Sequence, residues 1–568
     1  MANVAETLLD ILAEAGVRTL YGIPGDAINT LIDAVRRQDT IRFVQVRHEE
    51  AGAFAAAAHA KLTGDLGVCV GTAGPGAIHL LNGLYDAKMD HAPVLAITGQ
   101  VETSLVGTDY HQEVDLFTLF KDVAAFNQVV MTPEQMPHVA VQAVQAALAG
   151  RTVAHLSLPV DVAGEKVPDP GRRHRAFRAA AQSVPCAADL ERAADLLNGA
   201  ERVAILAGVG CRDARDELMR VSERLRAPVI KTLRAKDLFP DDHPQSAGYL
   251  GLLGTRPGVD AVEGCDAILL AGTDFPYHAF YPEDVPAVQI DVEATRLGKR
   301  YPVDVGLAGH AAPTLAALEA LLEQKLDGEF LESIRESQAD WNEKMEAKET
   351  SEETPLHPQA VARTVGELAA DDAIFLADTG AVTVWASRNL RLRDAQRFTL
   401  SSSLASMAFA LPAAIGAQVA HPGRQVIALA GDGGFSMLMS DFATAVKYEL
   451  PITVVVFNNH KLGLIQMEQE VQGFPEFQTQ LHDIDFATVA RACGGEGRRV
   501  ATLPDLRGAL SEALASARPW VVDVEINPEE RTMPPRVELG QAVGFGVAKV
   551  KEFLGRGDKK GGPAVLKG

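Results

Sequence analysis

Gly431-Asp432-Gly433-Gly434 closes the apolar run Gln425 to Ala430, and a second apolar run, Ile452-Thr453-Val454-Val455-Val456-Phe457, closes on Asn458-Asn459. Phe435 to Tyr448, between them, has the pattern of a helix. A strand that ends in a Gly-rich turn and opens a helix leaves backbone N–H groups pointing at whatever sits there, which suits phosphate. Asp432 adds a hard carboxylate oxygen. Mg²⁺ is held by one or two protein oxygens plus phosphate oxygens, so Asp432 and an Asn459 amide oxygen one βαβ unit away would suffice. Four such residues alone describe a tight turn. The Asn pair, one helix and one strand downstream, turns them into a candidate site for a metal and a diphosphate.

Working outward, the same alternation fills the chain. Residues 1 to about 165 read as helix Ala5 to Ala15, strands Thr19 to Tyr21 and Phe43 to Val46, helix Glu49 to Thr63, strand Gly67 to Val70, helix Ala77 to Lys88, and strands Pro93 to Thr98 and Ala154 to Leu158. Residues 165 to 190, with Pro168, Pro170 and Arg172-Arg173-His174-Arg175, read as a linker with a solvated basic face. Strands Arg202 to Ala207, Pro228 to Thr232, Ala267 to Ala271 and Ala287 to Asp291 define a second unit, 190–325. Asp327 to Pro355 reads as a charged surface helix and second linker. Strand Ala373 to Ala377, helix Ala408 to Ala420 and strand Trp520 to Ile526 frame a third unit, 356–530, followed by a tail, 531–568. Alternation of this kind predicts α/β architecture: three doubly wound domains with parallel sheets covered on both faces. The like alternation of the first and third units suggests an old duplication.

The chain has 568 residues, with 53 Lys+Arg against 75 Asp+Glu and a formal charge of −22. That balance disfavours nucleic acid or an anionic membrane as a broad-surface partner. No apolar run is long enough to span a bilayer, and no secretory leader is evident at the start. Cys69, Cys186, Cys211, Cys265 and Cys493 are scattered, without a CxxC pair, and read as free thiols in a reducing cytoplasm.

The Gly431–Gly434 turn and the Asn458-Asn459 pair resemble the fingerprint of the thiamine-diphosphate (ThDP) enzymes, and the resemblance extends over nearly the whole chain. It points to the pyruvate oxidase branch, including quinone-dependent pyruvate dehydrogenase, with acetolactate synthase a close relative. It implies a pyrimidine-binding first domain, an FAD-binding middle domain and a diphosphate-binding third. In Val46-Arg47-His48-Glu49-Glu50, it makes Glu49 the carboxylate that activates the aminopyrimidine. Glu50 keeps the simpler reading of an acid at a helix N-terminus. Met407 matches the bulky residue that bends the cofactor, and Gln112 a substrate contact. Pro24 and Gly25 match the pyrimidine-side loop, and Gly74 a loop beside the cofactor. Gly380, Ala381, Val382, Gly431, Gly433, Gly434, Leu462 and Gly463 match the cofactor-lining segments. The metal set is Asp432, Asn459 and the main-chain carbonyl of Lys461, whose ammonium cannot ligate.

In the middle unit Gly208, Gly210, Arg234, Gly251, Leu252, Leu253, Thr273-Asp274-Phe275-Pro276-Tyr277 and Asp291 resemble the branch's flavin-binding positions. Glycines let backbone approach a diphosphate, and an acid after a strand suits ribose or adenine. No GxGxxG is present, so the pattern is not that of a nicotinamide site. Two positions depart from the family: His111 stands where Phe usually precedes Gln112, and Leu464 where the quinone-dependent branch tends to have Phe. Gln466-Met467-Glu468-Gln469 lacks the Trp usual in acetolactate synthases. The stretch Pro534 to Asp558 resembles the quinone-dependent branch, but Lys559-Lys560-Gly561-Gly562-Pro563 replaces its amphipathic end, which lowers the case for membrane contact.

The implied activity is oxidative decarboxylation of pyruvate, or a similar small 2-oxo acid, to acetate or acetyl phosphate and CO₂. Electrons would pass to FAD and on to oxygen or a quinone, with ThDP and Mg²⁺ as further cofactors, in a homodimer or homotetramer. The alternatives are acetolactate synthase-type joining of two 2-oxo acids, and a non-catalytic ThDP- and FAD-binding regulatory protein.

Overall fold

Apolar runs flanked by helical segments become strands buried on both faces, because the connecting helices cover the sheet above and below. The computed structural model describes residues 1–168, 174–177, 182–532, 535 and 547–548. It contains three six-stranded sheets, parallel throughout. The first holds β1 (Thr19–Gly22), β2 (Arg42–Gln45), β3 (Gly67–Gly71), β4 (Val94–Gln100), β5 (Phe126–Val129) and β6 (Val153–Pro159). The second holds β7 (Val203–Ala207), β8 (Val229–Lys231), β9 (Ser246–Tyr249), β10 (Ala267–Ala271), β11 (Ala287–Asp291) and β12 (Val305–Ala308). The third holds β13 (Ile374–Ala377), β14 (Arg397–Leu400), β15 (Val426–Gly431), β16 (Ile452–Asn458), β17 (Glu496–Val500) and β18 (Trp520–Glu525).

Counted within its own sheet, the strand order is 2-1-3-4-6-5 in the first and third sheets and 3-2-1-4-5-6 in the second. The second is the order of doubly wound dinucleotide-binding sheets. In such sheets ligands settle beyond the strands' carboxyl ends, where the order reverses. Those crevices lie between β1 and β3, between β7 and β10, and between β13 and β15.

Several details differ from the sequence reading. Phe435 to Tyr448 is not one helix: a helix Asp432–Leu438, a 3₁₀ turn Met439–Asp441 and a helix Phe442–Lys447 follow one another. The break turns the Asp441 carboxylate outward to accept the Arg47 N–H at 2.8 Å. The helix expected at Ala77 starts at Pro75 and is interrupted at Leu80. Strands β5, β9, β12, β14 and β17 were not anticipated, and each lies at or next to a sheet edge. The charged helix, Glu329–Glu349, is exposed along most of its length but ends in a buried Glu349, held by Arg363 at 3.2 Å, Arg391 at 3.1 Å and Asn389 at 3.0 Å. Arg172, Arg173 and the segment Pro534 to Pro563, apart from residues 535 and 547–548, lie outside the described residues. No helix among the described residues is long and apolar enough to cross a membrane.

The first and third domains share one core. The helix Glu49–Thr63 buries mostly alanine and crosses the helix Ala410–Ala420 so closely that a Cβ on Gly416 would stand 2.2 Å from the Ala55 carbonyl oxygen. Small residues on both helices permit that approach. At the end of this contact Lys61, buried, donates to Asp86 at 2.7 Å, Asp90 at 2.8 Å and the Leu400 carbonyl at 3.0 Å. Asp90 also accepts the Ser402 and Ser403 amides at 3.1 Å each and faces Arg234 of the middle domain at 3.7 Å. Burial, with the neighbouring Asp90 charge, pushes Asp86 up to about 6 against the pull of Lys61. Burial acts on Asp90 too, but Arg234, Lys61 and the Ser402 amide outweigh it and hold that carboxyl well below the usual range. Replacing Lys61 by Met leaves buried Asp86 without its cation and Asp90 with Arg234 alone, and the unfolding midpoint is expected to fall by the equivalent of about 3–5 kcal/mol. A denaturant titration showing an unchanged midpoint would mean the cluster contributes no net stability.

Candidate active site

The crevice of the first sheet collects Glu49, Gly25, Gly74 and Gln112. β1 leads through Gly22-Ile23-Pro24 to Gly25, whose missing side chain makes room for Thr72: a Cβ there would lie 2.5 Å from the Thr72 Cβ. Gly74, at φ +61°, opens the next helix with the Gln112 carbonyl packed over it, 2.9 Å from where a Cβ would be. Glu49 is the first residue of its helix, 7% exposed, with Oε1 3.2 Å from the Cβ position of Gly76. Its Oε2 is 3.0 Å from His79 Nδ1, and the His79 ring stacks on His48 at 4.4 Å. The sequence reading missed both histidines as site members. His79 sits one turn into the helix that Gly74 opens, a position whose signal appears only once the crevice is assembled.

The crevice of the third sheet collects the rest. Gly431 caps the helix that begins at Asp432, and β15 pairs with β16 so that Gly431 lies abreast of Phe457, bringing Asp432 beside Asn458-Asn459. Asp432 is buried, and burial pushes its carboxyl up to about 7 although the amides of Gly433, Asp432 itself and His460 favour its charged form. Asn459, also buried, accepts the Lys461 N–H at 3.1 Å with Oδ1, which retains a second lone pair. The Lys461 ammonium turns away to Glu529 at 3.2 Å and Glu476 at 3.6 Å. A buried carboxylate, an amide oxygen and a main-chain carbonyl on adjacent strand ends are the hard-oxygen donor set that suits Mg²⁺.

Around them the backbone is stripped of side chains. A Cβ on Gly434 would stand 2.1 Å from Asp378 Oδ2, and one on Gly433 would stand 3.0 Å from Leu462 and 3.3 Å from the Met407 methyl. Leu481 completes that apolar wall. Asp378, fully buried, accepts the Thr379 amide at 2.9 Å and the Phe409 amide at 3.2 Å through Oδ1, while Oδ2 has no partner among the described residues. Burial pushes it up to about 7. Gly380, at φ +134°, caps the helix that carries Ala381 and Val382, and Gly463 packs on the Asn459 amide. Free amides, a glycine floor and buried oxygens awaiting a partner fit a metal-bound diphosphate.

At the middle crevice Gly208, Gly210 and Gly272 press together: a Cβ on Gly208 would be 2.3 Å from the Gly272 carbonyl oxygen, and Gly210 N–H donates to that carbonyl at 3.0 Å. Thr273 and Phe275 are buried, whereas Pro276 and Tyr277 are exposed. Asp274 pairs with Arg300 at 2.9 Å. Asp291 is buried and raised by that burial, its Oδ1 accepting the Glu293 amide at 2.8 Å. Gly251, at φ +103°, lies against the Phe275 ring. Leu252 and Leu253 present their carbonyls to Arg388 and Ser387 of the third domain, at 3.2 Å each. Arg234 approaches Asp90, and Arg296 meets His91 at 3.3 Å, so basic side chains gather beside this crevice. The residues matched to cofactor-lining positions thus fall into three groups, one per sheet.

Comparison with known proteins matches three sequence profiles: the N-terminal TPP binding domain of the thiamine pyrophosphate enzymes over residues 2–119, their central domain over 190–318, and their C-terminal TPP binding domain over 378–524. YdaP of Bacillus subtilis, named as a thiamine pyrophosphate-containing protein, is 44% identical over 553 residues, covering 97% of this chain and 96% of YdaP. A pyruvate oxidase of Lactiplantibacillus plantarum is 35% identical, covering 94% of this chain and 90% of that protein. An acetolactate synthase large subunit of Parasynechococcus marenigrum is 33% identical, covering 95% and 91%.

Two substitutions test the geometry. Asp432→Asn removes a charge from the donor set and should weaken Mg²⁺ binding by about tenfold or more, read by calorimetry. Gly434→Ala forces a methyl onto Asp378 and should abolish cofactor binding even where the chain still folds, read by cofactor-induced change in tryptophan fluorescence.

Proposed function

We propose a reaction from one premise: this chain belongs to the thiamine pyrophosphate enzyme family. The reaction is oxidative decarboxylation of pyruvate or a similar small 2-oxo acid. Pyruvate, water and an oxidised acceptor give acetate, CO₂ and an acceptor reduced by two electrons, or acetyl phosphate where phosphate replaces water. The observation that carries this reading is the middle crevice, where the dinucleotide-type strand order coincides with the Gly208, Gly210 and Gly272 close approach. It suits FAD.

When bound, ThDP supplies the carbon that attacks the 2-oxo group, and FAD receives the two electrons. Asp432, Asn459 and the Lys461 carbonyl would hold Mg²⁺ against the diphosphate, with Gly433 and Gly434 giving it room. Met407 and Leu462 form an apolar wall against which the cofactor would lie and from which water would be excluded. Glu49, held next to His79, would share a proton with the aminopyrimidine nitrogen. Gln112, over Gly74, is the substrate contact. By its likeness to the family, Glu49 of one copy of the chain would face Asp432 of another, so that each centre forms in a dimer or tetramer. Free cysteines suit the cytoplasm.

Acetolactate synthase-type carboligation is the second reading, supported by the relatives so named. Against it stands Gln466, buried and bonded to Glu470 at 3.1 Å and Glu476 at 3.0 Å, in the segment where those enzymes usually carry Trp. A binding protein without chemistry would leave Glu49, Asp432 and Asn459 without a joint purpose.

Anaerobic stopped-flow absorbance of the flavin band, on mixing the loaded protein with pyruvate, tests the proposal. Rapid bleaching is expected; an unbleached flavin with accumulating acetolactate would assign the carboligation. Glu49→Gln should abolish turnover while ThDP binding stays measurable, and full turnover in that variant would remove Glu49 from its role.

A further inference from the structure

β2 is an edge strand, and its outward backbone groups are met by side chains rather than by another strand. Gln45 donates its N–H to the Tyr448 hydroxyl at 2.7 Å, and that hydroxyl lies 3.2 Å from the Phe43 carbonyl. The Thr444 hydroxyl reaches the Gln45 carbonyl at 3.3 Å and Asp441 Oδ1 at 2.9 Å. Arg47 N–H goes to Asp441 Oδ1 at 2.8 Å. Asp441, Thr444 and Tyr448 project from one face of the helix Phe442–Lys447 and its caps, about one per turn of ~5.4 Å. Phe43, Gln45 and Arg47 are alternate residues of an extended chain, about 6.6 Å apart, so the two repeats run nearly in step.

The final contact falls at a sensitive place. Arg47 is followed by His48, which caps the Glu49 helix by accepting the Glu50 N–H at 3.2 Å. Asp441 is fully buried and ends the segment that begins at Asp432 and runs through the helix Asp432–Leu438 and the turn Met439–Asp441.

We propose that Asp441 is the positioning residue for Glu49: by fixing the Arg47 amide, it sets where the Glu49 helix starts and joins that start to the segment carrying Asp432. The catalytic meaning of this rests on the role given to Glu49 above. In the full-length protein, Asp441→Ala should release the amides of Arg47 to Ala51, raising their hydrogen exchange about tenfold, while the amides after Asp432 keep their protection. In the loaded enzyme kcat should fall about tenfold with unchanged half-saturation for pyruvate and Mg²⁺, and Asp441→Asn, which keeps the acceptor oxygen, should stay within about threefold of the parent. Thr444→Val, a milder cut in the same clasp, gives the same readouts should Asp441→Ala not fold. Unchanged exchange at Arg47 to Ala51 overturns the proposal, and so does a loss of Mg²⁺ affinity that matches the loss of kcat. Glu49→Gln separates the two readings: full turnover there sinks the proposed function, while the exchange result still decides whether Asp441 positions this segment.

Discussion

Asp86 and Asp90 share one ammonium in a region closed to water, and the juxtaposition of the three domains depends on keeping that arrangement whole. Taking an ion out of water costs several kcal/mol, which partners from all three domains offset here even though Asp86 Oδ1 has no hydrogen-bond partner among the described residues. Here the first domain supplies Lys61, the third supplies the Leu400 carbonyl and the Ser402 and Ser403 amides, and the middle supplies Arg234. Sliding any domain against the others would strand a charge. A second cluster repeats the device between the middle and third domains: buried Lys236 bonds Tyr249 and the Ser387 carbonyl at 2.9 Å each, and Asp241 at 3.1 Å. These polar pins fix orientation where apolar packing alone would tolerate rotation. They hold the basic side chains of the middle crevice facing the other two domains.

The first and third domains use one frame for different tasks. β2 corresponds to β14 and β3 to β15, so the segment leading to Glu49 matches the one leading to Met407, and Gly71-Thr72 matches Gly431-Asp432. The helices that follow β2 and β14 are the two that cross at Gly416. Equivalent elements thus pack against each other, as expected when a duplicated unit pairs with its own copy. Thr72 thus stands in one crevice where Asp432 stands in the other.

Much of this was legible in the residues. Central strands such as Val454-Val455-Val456 are buried on both faces and show as unbroken apolar runs. The strands that escaped notice lie towards the sheet margins: Phe126-Asn127-Gln128-Val129 and Glu496-Gly497-Arg498-Arg499-Val500 carry polar side chains because they are only partly covered. Asp432 and Asn459 could be brought together from the residues because they close the two neighbouring strands of one βαβ unit, and the structure sets those strand ends side by side. His79, Leu481 and Asp441 could not, since each acquires meaning from a partner far along the chain. The glycines divide in the same way: Gly434 is explained by an aspartate that precedes it by two helices and two strands.

The covering of β2 has a consequence for how the chain is made. Its partners, Asp441, Thr444 and Tyr448, lie some 400 residues downstream. At about 5–20 residues per second, a ribosome needs roughly 20–80 s to deliver them, and during that time the first sheet stands with one edge open to strand addition. The nascent amino-terminal half is therefore the aggregation-prone stage of biogenesis, and a chaperone able to occupy that edge would set the yield of folded protein.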